Sequence, residues 1–252
     1  MRSRLQLSAS VCAVLALAAG CSGTHNASFT PPTQQQSAFS RADVPAATPT
    51  PLKLAPGKIV GLDDQFTPTD GNSSSGGQGQ PVDGLTCNKT MSENHYHVHW
   101  YLGLLVNGTQ IAIPDGVGMQ NPGADGTYFG YSNFTNTATC FYDLHTHDAS
   151  GMIHTESPLT IPFSSSAFTL GTLLDVWGIS ISSSNFGPYI GPVQVYTAKV
   201  PLKTLTASNY TLYTGADPTS IAVYSHMAIW IEVGPTFVSP PNIPAIKFYT
   251  EY

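Results

Sequence analysis

The sequence predicts a mainly β protein: an antiparallel β-sandwich or barrel with one short helix, formed by residues 85–252. Two observations predict it. Short runs rich in valine, isoleucine, threonine and aromatic residues recur in this region, separated by turns rich in glycine, asparagine and aspartate. One segment has the spacing of an amphipathic helix. An α+β sheet with that helix packed across it is the alternative.

The strand-like runs are about seven in number, and several of their connections can be identified. Asn107-Gly108 separates two apolar runs and is the strongest signal for a two-residue hairpin. Residues 114–136 are rich in glycine, asparagine and aspartate and predict a long loop. The turn 148–151, Asp-Ala-Ser-Gly, is expected to join the strands TATCFYDLHTH and MIHTES.

The helix is predicted where four large apolar residues fall at positions i, i+3, i+4 and i+7, with a glycine to end it. These residues are Leu170, Leu173, Leu174 and Trp177, followed by Gly178. The remaining strand-like runs are PVQVYTAKV, YTLY and TSIAVYSHMAIWIEVG. Together these elements provide enough apolar sequence for one domain with a sizeable core.

The first residues of the chain resemble a bacterial lipoprotein signal. Two arginines precede a short apolar run, and the signal at residues 1–20 is followed directly by Cys21. The apolar run is too short to remain as a membrane span. The resemblance implies export, cleavage of the signal, and a lipid on Cys21 that anchors the protein to a membrane of the bacterial cell envelope.

Residues 21–84 are rich in proline, threonine, serine, glutamine and glycine. Such a composition cannot bury enough apolar surface to offset the entropy lost on ordering, so it predicts a disordered tether. The tether would link the lipid to a single His-rich β domain at residues 85–252. Within the tether, residues 52–62 are more apolar, and this short stretch is a candidate for docking on the domain.

The chain is acidic, with a formal net charge of −6, which becomes −8 when the two positive charges of Arg2 and Arg4 leave with the signal. Nucleic-acid phosphates attract surfaces rich in lysine and arginine, and this chain has few of either. The sequence therefore predicts no nucleic-acid partner. It does not identify a protein partner.

The four cysteines divide into two pairs by position. Cys12 lies in the signal and Cys21 is the lipidation site. Cys87 and Cys140 remain, and outside the cytoplasm two leftover cysteines usually pair. We expect a Cys87–Cys140 disulfide, and a thiolate metal ligand at Cys140 is the alternative.

Apart from His25, every one of the eight histidines lies in the predicted domain. Six of them form two clusters, at 95–99 and 145–154, and both clusters contain the spacing H-x-H. On a strand, residues i and i+2 point to the same face, so two imidazoles so placed can reach one ion. The pattern therefore predicts a metal site shared by two strands.

The turn at 148–151 adds cross-strand neighbours to this site. It is expected to set three pairs of side chains opposite one another on one face: His145 and His154, His147 and Met152, and Asp143 and Glu156. The predicted ligands are His97, His99, His145, His147 and His154. The side chains predicted to surround them are His95, Asp143, Asp148, Met152, Glu156 and His226, and a core histidine is the alternative for His226.

The predicted cofactor is a transition-metal ion. Several imidazoles near the thioether of Met152 favour copper, which stands at the top of the affinity series for divalent metals. Imidazoles combined with the carboxylate of Asp143 or Glu156 would suit zinc, iron or manganese instead. A buried polar network without metal is the other interpretation of the histidines.

Four stretches together resemble an uncharacterised family of bacterial exported proteins. They are HYHVHWYLGLLVNG, CFYDLHTHDASGMIHTESP, FTLGTLLDVWG and SHMAIWIEVGP, and they carry the motifs HxHxH and LHTHDxSGxIHxES. The resemblance covers residues 94 to about 240. It implies a single exported domain and no particular reaction.

Three functions are consistent with these features. The favoured one is a metal-binding lipoprotein, tethered outside the cytoplasm and using histidines on adjacent strands. The first alternative is a metal-dependent oxidoreductase or hydrolase, which needs an open coordination position and has Glu156 or Asp143 as a candidate general base. The second alternative is a surface interaction or adhesion domain without metal. Whether the protein is an enzyme is left open by the sequence.

Overall fold

The computed structural model describes residues 52–62, 75–91, 95–124, 126–128, 131–160, 167–199, 204–205, 207–238 and 243–248. These residues belong to one compact unit, Pro45–Tyr252. The predicted signal, the lipidation site Cys21 and much of the predicted tether lie outside the described residues. Within those ranges, no helix is both long and apolar enough to cross a membrane.

The described chain forms seventeen short strands and one α-helix. The strands are β1 Leu52–Lys53, β2 Tyr96–Val106, β3 Thr109–Ile111, β4 Met119–Gln120, β5 Gly126–Tyr128, β6 Tyr131–Phe134, β7 Cys140–Phe141, β8 Leu144–His145, β9 Met152–Ser157, β10 Ile181–Ser182, β11 Asn185–Phe186, β12 Tyr189–Ile190, β13 Val193–Lys199, β14 Thr204–Leu205, β15 Thr211–Leu212, β16 Met227–Val233 and β17 Ile246–Lys247. The helix α1 is Leu170–Trp177, and two single 3-10 turns lie at Ala207–Asn209 and Pro218–Ser220.

The largest sheet has seven strands in the order β15-β13-β16-β2-β9-β8, with β3 also paired to β2. All its pairs are antiparallel except the central one, in which β16 and β2 run parallel. Both central strands are largely buried, as is typical of parallel neighbours covered on two faces. The predicted fold class, mainly β with one helix, is confirmed; the sheet is mixed, and the described strands do not close into a barrel.

The hairpin predicted at Asn107-Gly108 is confirmed. Residues Val106 and Thr109 pair directly on either side of it, and both turn residues have positive φ, 50° and 79°. This conformation is the one that asparagine and glycine favour in a two-residue hairpin turn. The predicted loop 114–136 instead contains the three short strands β4, β5 and β6.

The predicted helix is also confirmed, together with its end. Thr169 caps the amino terminus, because its side-chain oxygen accepts a hydrogen bond from the Thr172 N–H at 3.1 Å. Gly178 ends the helix with φ 84°. The four apolar residues of the predicted face are all buried in the first core cluster, against the sheet residues Trp100 and Leu104 among others.

The opposite face of the sheet carries a second core cluster, which contains Tyr101, Met152 and Trp230. Two residues of the apolar stretch 52–62 are buried in it, Leu54 and Val60. In addition, β1 pairs with β17, so this stretch packs on the domain as its composition suggested. The large sheet is therefore covered on both faces.

The predicted disulfide is confirmed. Cys87 and Cys140 are bonded, with their Cα atoms 5.4 Å apart and a sequence separation of 53. Cys140 is therefore not available as a thiolate ligand. The bond joins the segment 75–91 to β7, where Asn88 also pairs with Phe141.

Candidate metal centre

Three adjacent strands of the large sheet bring five side chains of the predicted site together. Strand β9 is in the middle, with β2 on one side and β8 on the other. In the register of β2 and β9, His97 is paired with Glu156 and His99 with His154. In the register of β8 and β9, His145 is paired with His154, as predicted from the turn. The alternation of strand side chains therefore puts these groups on one face.

The connection between β8 and β9 is longer than predicted. It runs from residue 146 to 151, so His147 lies in the loop and not on the strand. Asp148 holds this loop at both carboxylate oxygens: Oδ1 accepts from Ser150 N–H at 3.0 Å and Oδ2 from Gly57 N–H at 2.6 Å. Asp148 thus supports the loop that carries His147.

A distant segment fixes the orientation of the His147 ring. The Nδ1–H of His147 donates to the Thr135 carbonyl at 2.7 Å, and the Thr135 N–H donates back to the His147 carbonyl at 2.7 Å. The ring also stacks on Phe134, with centroids 4.7 Å apart. Neither residue was identified from the sequence, because both lie in the region predicted to be a loop.

The first candidate group, called here the inner group, consists of His145, His147, His154 and Glu156. One ligand atom from each lies within 4.8 Å of all the others, and all four residues are buried. The Nε2 atoms of His145 and His147 are 3.2 Å apart, and His154 Nδ1 is 3.3 Å from Glu156 Oε1. Four ligands placed around an ion at the distances typical of zinc in a tetrahedron lie about 3.3 Å from one another, so this spacing suits one ion.

The hydrogen bonds of the inner group also determine the tautomers of two imidazoles. His145 Nδ1 contacts the Tyr142 carbonyl at 2.9 Å, and His147 Nδ1 contacts the Thr135 carbonyl. A carbonyl oxygen only accepts, so each Nδ1 carries the hydrogen and each Nε2 of the neutral ring carries a lone pair. Two lone pairs therefore face each other across 3.2 Å, and only a proton or a metal ion between them makes that contact favourable.

Protonation of His147 and of His154 is disfavoured. Burial, and next to it the charge of His145, lowers the pKa of His147 to about 3. Burial and the charge of His147 likewise lower the pKa of His154 to about 3. At neutral pH these rings are therefore neutral, and their lone pairs are available to a metal ion.

Glu156 supplies the negative charge of the site. Burial by itself would raise the pKa of this carboxyl, but hydrogen bonds from His154 and His97 and the nearby His145 hold the pKa well below its usual range. Its Oε1 lies 3.1 Å from His97 Nε2, 3.3 Å from His154 Nδ1 and 3.8 Å from His145 Nε2. Its Oε2 is buried and has no hydrogen-bond partner among the residues that the structure describes. The sequence predicted Glu156 to surround the ligands, whereas the structure puts its carboxylate among the donor atoms.

A second candidate group, called here the outer group, consists of His97, His99 and His154. Its ligand atoms also lie within 4.8 Å of one another, and His99 Nε2 is 3.1 Å from His154 Nδ1. His97 and His99 are only partly buried, in contrast to the inner group. Burial, followed by the charge of His154, holds the pKa of His99 well below its ordinary value.

Two other predicted neighbours of the site contact its backbone. Asp143 is buried; its carbonyl accepts from the Glu156 N–H at 2.7 Å, and its Oδ1 accepts from the Asn88 side chain at 3.4 Å. The N–H of His226 donates to the His99 carbonyl at 2.7 Å, and its ring lies against Phe248 at a centroid distance of 5.1 Å. Both residues therefore support the strands that carry the ligands.

The last two predicted neighbours lie away from the donor atoms. His95 is exposed, lies directly before β2 and belongs to neither group. Met152 is on the predicted face of β9, but it is buried in the second core cluster beside Tyr101. The donors that the two groups bring together are imidazole nitrogens and a carboxylate.

No family model, no curated protein and no solved structure matches the chain. The resemblance of its motifs to exported bacterial proteins therefore stays a prediction.

Proposed function

We propose that this protein is a metal-binding lipoprotein of the bacterial cell envelope, which holds one divalent transition-metal ion between His145, His147, His154 and Glu156. The observation that carries the proposal is the 3.2 Å contact between the Nε2 atoms of His145 and His147. Each ring already donates its other N–H to a backbone carbonyl. That arrangement orients metal-bound histidines in proteins, and it leaves two lone pairs that a cation would satisfy.

The buried carboxylate supports the same proposal. Glu156 is ionised, and its Oε2 lacks a hydrogen bond in the described part of the chain. A buried charge with one oxygen left without a partner is costly, usually by several kcal/mol. A divalent ion at the inner group would offset this charge and give the oxygens a partner.

The donor set bears on the identity of the metal. Three imidazoles and one carboxylate suit Zn²⁺ and Cu²⁺, whereas Cu⁺ prefers sulfur ligands. The sequence favoured copper because of Met152, and that side chain packs in the second core cluster. We therefore propose a divalent ion, with Cu²⁺ and Zn²⁺ distinguished by competition between them.

The number of donors favours binding over catalysis. Four protein ligands complete a tetrahedral shell, as in closed zinc sites, whereas catalytic sites keep one position for water or substrate. The burial of all four inner residues agrees with a closed site. Storage, capture or delivery of the ion is therefore the proposed role.

The proposed location depends on the cysteines. The Cys87–Cys140 disulfide is typical of proteins that leave the reducing cytoplasm. The lipobox-like signal ending before Cys21 supports a lipid anchor at that residue. Labelling of cells with a radioactive fatty acid, with Cys21→Ser as the control, tests the anchor independently of the metal site.

The metal proposal is tested by titrating the full chain with Zn²⁺ and with Cu²⁺, using isothermal calorimetry. We expect one ion per chain for the wild type, and loss of tight binding in His145→Ala/His147→Ala. The matched control is His95→Ala, which removes an exposed imidazole outside both groups. Binding that is unchanged in the double variant would overturn the proposal, and rapid water exchange on the Cu²⁺-loaded protein would favour the enzyme alternative.

A further inference from the structure

The outer group lies between solvent and the inner group. His97 and His99 are partly exposed, with 19% of the His97 side-chain surface accessible, whereas the inner residues are buried. The rings of His97 and His99 therefore lie nearer to solvent than those of His145 and His147, although the Nε2 atom of His97 is itself buried. The outer group therefore differs from the inner group in its access to water.

The two groups share one residue, His154. Its Nδ1 lies 3.1 Å from His99 Nε2 and 3.3 Å from Glu156 Oε1. Glu156 Oε1 is also 3.1 Å from His97 Nε2 and 3.8 Å from His145 Nε2. A neutral imidazole has a single nitrogen lone pair, so the His154 ring binds one ion at a time, and full coordination in one group removes a ligand from the other.

The charge of the site also argues against two ions at once. Among the described residues, the two groups contain a single carboxylate, Glu156. Two divalent ions beside it would leave a net charge of about +3 in a largely buried region, where unbalanced charge is costly. One divalent ion leaves a net charge of about +1, which burial opposes far less.

The geometry points to a transfer path: we infer that His97 and His99 form a loading position, which receives a divalent ion from solvent and passes it through His154 and Glu156 to His145 and His147. This inference rests on the proposed function of the inner group. Successive donor atoms along the path are 3.1 to 3.8 Å apart. The ion can therefore exchange one ligand at a time and never has to lose its waters without replacement.

Rates distinguish this path from a merely supporting role of His97 and His99. The full chain is mixed with Co²⁺ by stopped flow, and the absorption of the coordinated ion is followed; release is measured by adding a chelator. In His97→Ala/His99→Ala we expect both uptake and release to slow at least about tenfold, since each 1.4 kcal/mol added to a barrier has that effect. The stoichiometry of one and the affinity should change far less than the rates.

Two further variants separate the possible failures. His95→Ala removes an exposed imidazole from the same stretch and should load at the wild-type rate. His145→Ala/His147→Ala should keep only weak, rapidly exchanging binding at the outer group. If the alanine pair at 97 and 99 does not fold, His97→Gln/His99→Gln replaces it.

The inference is overturned if the His97/His99 pair loads as fast as the wild type, or if the wild type binds two ions tightly at saturation. Both results would leave a metal site in place. By contrast, a wild type that binds no Co²⁺, or a His145/His147 pair that binds it as tightly as the wild type, would reject the proposed function itself.

Discussion

The facing nitrogens of His145 and His147 make one substitution especially informative. His147→Gln replaces a lone pair by an amide that can donate a hydrogen bond to His145 Nε2. In the metal-free protein the change removes an unfavourable contact, so we expect it to cost little stability. In the metal-loaded protein it removes a ligand, so most of the stability gained from the metal should be lost.

The magnitudes follow from the contacts of the His147 ring. In the metal-free protein the variant loses the 2.7 Å bond to Thr135 and the 4.7 Å stacking on Phe134, which together contribute about 2 kcal/mol. A new hydrogen bond to His145 in place of two facing lone pairs offsets about 1 kcal/mol of this loss. The net cost of His147→Gln without metal should therefore be about 1 kcal/mol.

The effect of metal is larger. With Zn²⁺ at about a thousand times the dissociation constant, binding stabilises the wild type by about 4 kcal/mol. For a unit of this size, that corresponds to a rise in melting temperature of about 8–16 °C. If the variant binds about a hundredfold more weakly, the same Zn²⁺ concentration stabilises it by only about 1.4 kcal/mol.

The assay is thermal denaturation of the full chain near neutral pH, followed by circular dichroism with and without Zn²⁺. His95→Gln, the same substitution at an exposed neighbouring position, should behave like the wild type in both conditions. A full Zn²⁺ shift in His147→Gln would show that His147 is not a ligand. A large destabilisation without metal, combined with no Zn²⁺ shift in the wild type, would identify the rings as an ordinary polar network.

Three further predictions concern the fold around the site. Replacing Cys87 and Cys140 by serine removes a disulfide that joins residues 53 positions apart in sequence. Because the unfolded chain gains freedom, the free energy of unfolding measured by guanidinium denaturation should fall by about 4 kcal/mol. Burial raises the pKa of Glu232 from its ordinary 4.5 to about 7. Between these pH values the folded protein binds more protons at this residue than the unfolded chain does. The free energy of unfolding therefore falls as the pH rises from 4.5 to 7. Glu232→Gln should therefore raise the melting temperature at about pH 8, by an amount equivalent to roughly 2–3 kcal/mol, and have little effect at about pH 4; an equal effect at both pH values would reject this cause. Gly151 has φ 84°, and a Cβ there would lie 2.5 Å from a backbone oxygen, so Gly151→Ala should lower the melting temperature clearly more than Gly84→Ala, where φ is 80° and nothing lies within 4 Å.

Local patterns were sufficient for the elements whose geometry depends on neighbouring residues. The hairpin at Asn107-Gly108 follows from two residues that accept positive φ, and helix α1 follows from apolar spacing with a glycine after it. The pairing of His145 with His154 also follows locally, because only a short turn separates them. In each case the interactions that determine the structure lie close together in sequence.

Other features depend on residues far apart in sequence. The parallel pairing of β2 with β16 joins segments more than a hundred positions apart, and neither strand alone indicates its neighbour. The contact of His147 with the Thr135 carbonyl could not be predicted either, because every residue type has a backbone carbonyl. For Met152 only part of the environment is local. Alternation along β9 predicts the face on which it lies, but the apolar side chains packed around it come from other elements.

The metal centre belongs to the whole fold rather than to a peptide motif. The rings of His145 and His147 are oriented by carbonyls from Tyr142 and Thr135, on different segments. The loop between β8 and β9 is in turn held by the stretch 52–62, through a hydrogen bond from Val60 N–H to the Ala149 carbonyl at 3.0 Å and one from Gly57 N–H to the Asp148 carboxylate. A peptide containing only the motif would lack these supports, and its imidazoles would have to lose their freedom on binding. The folded protein loses that freedom when it folds, so its affinity for metal should exceed that of the isolated motif, and metal binding should stabilise the entire unit.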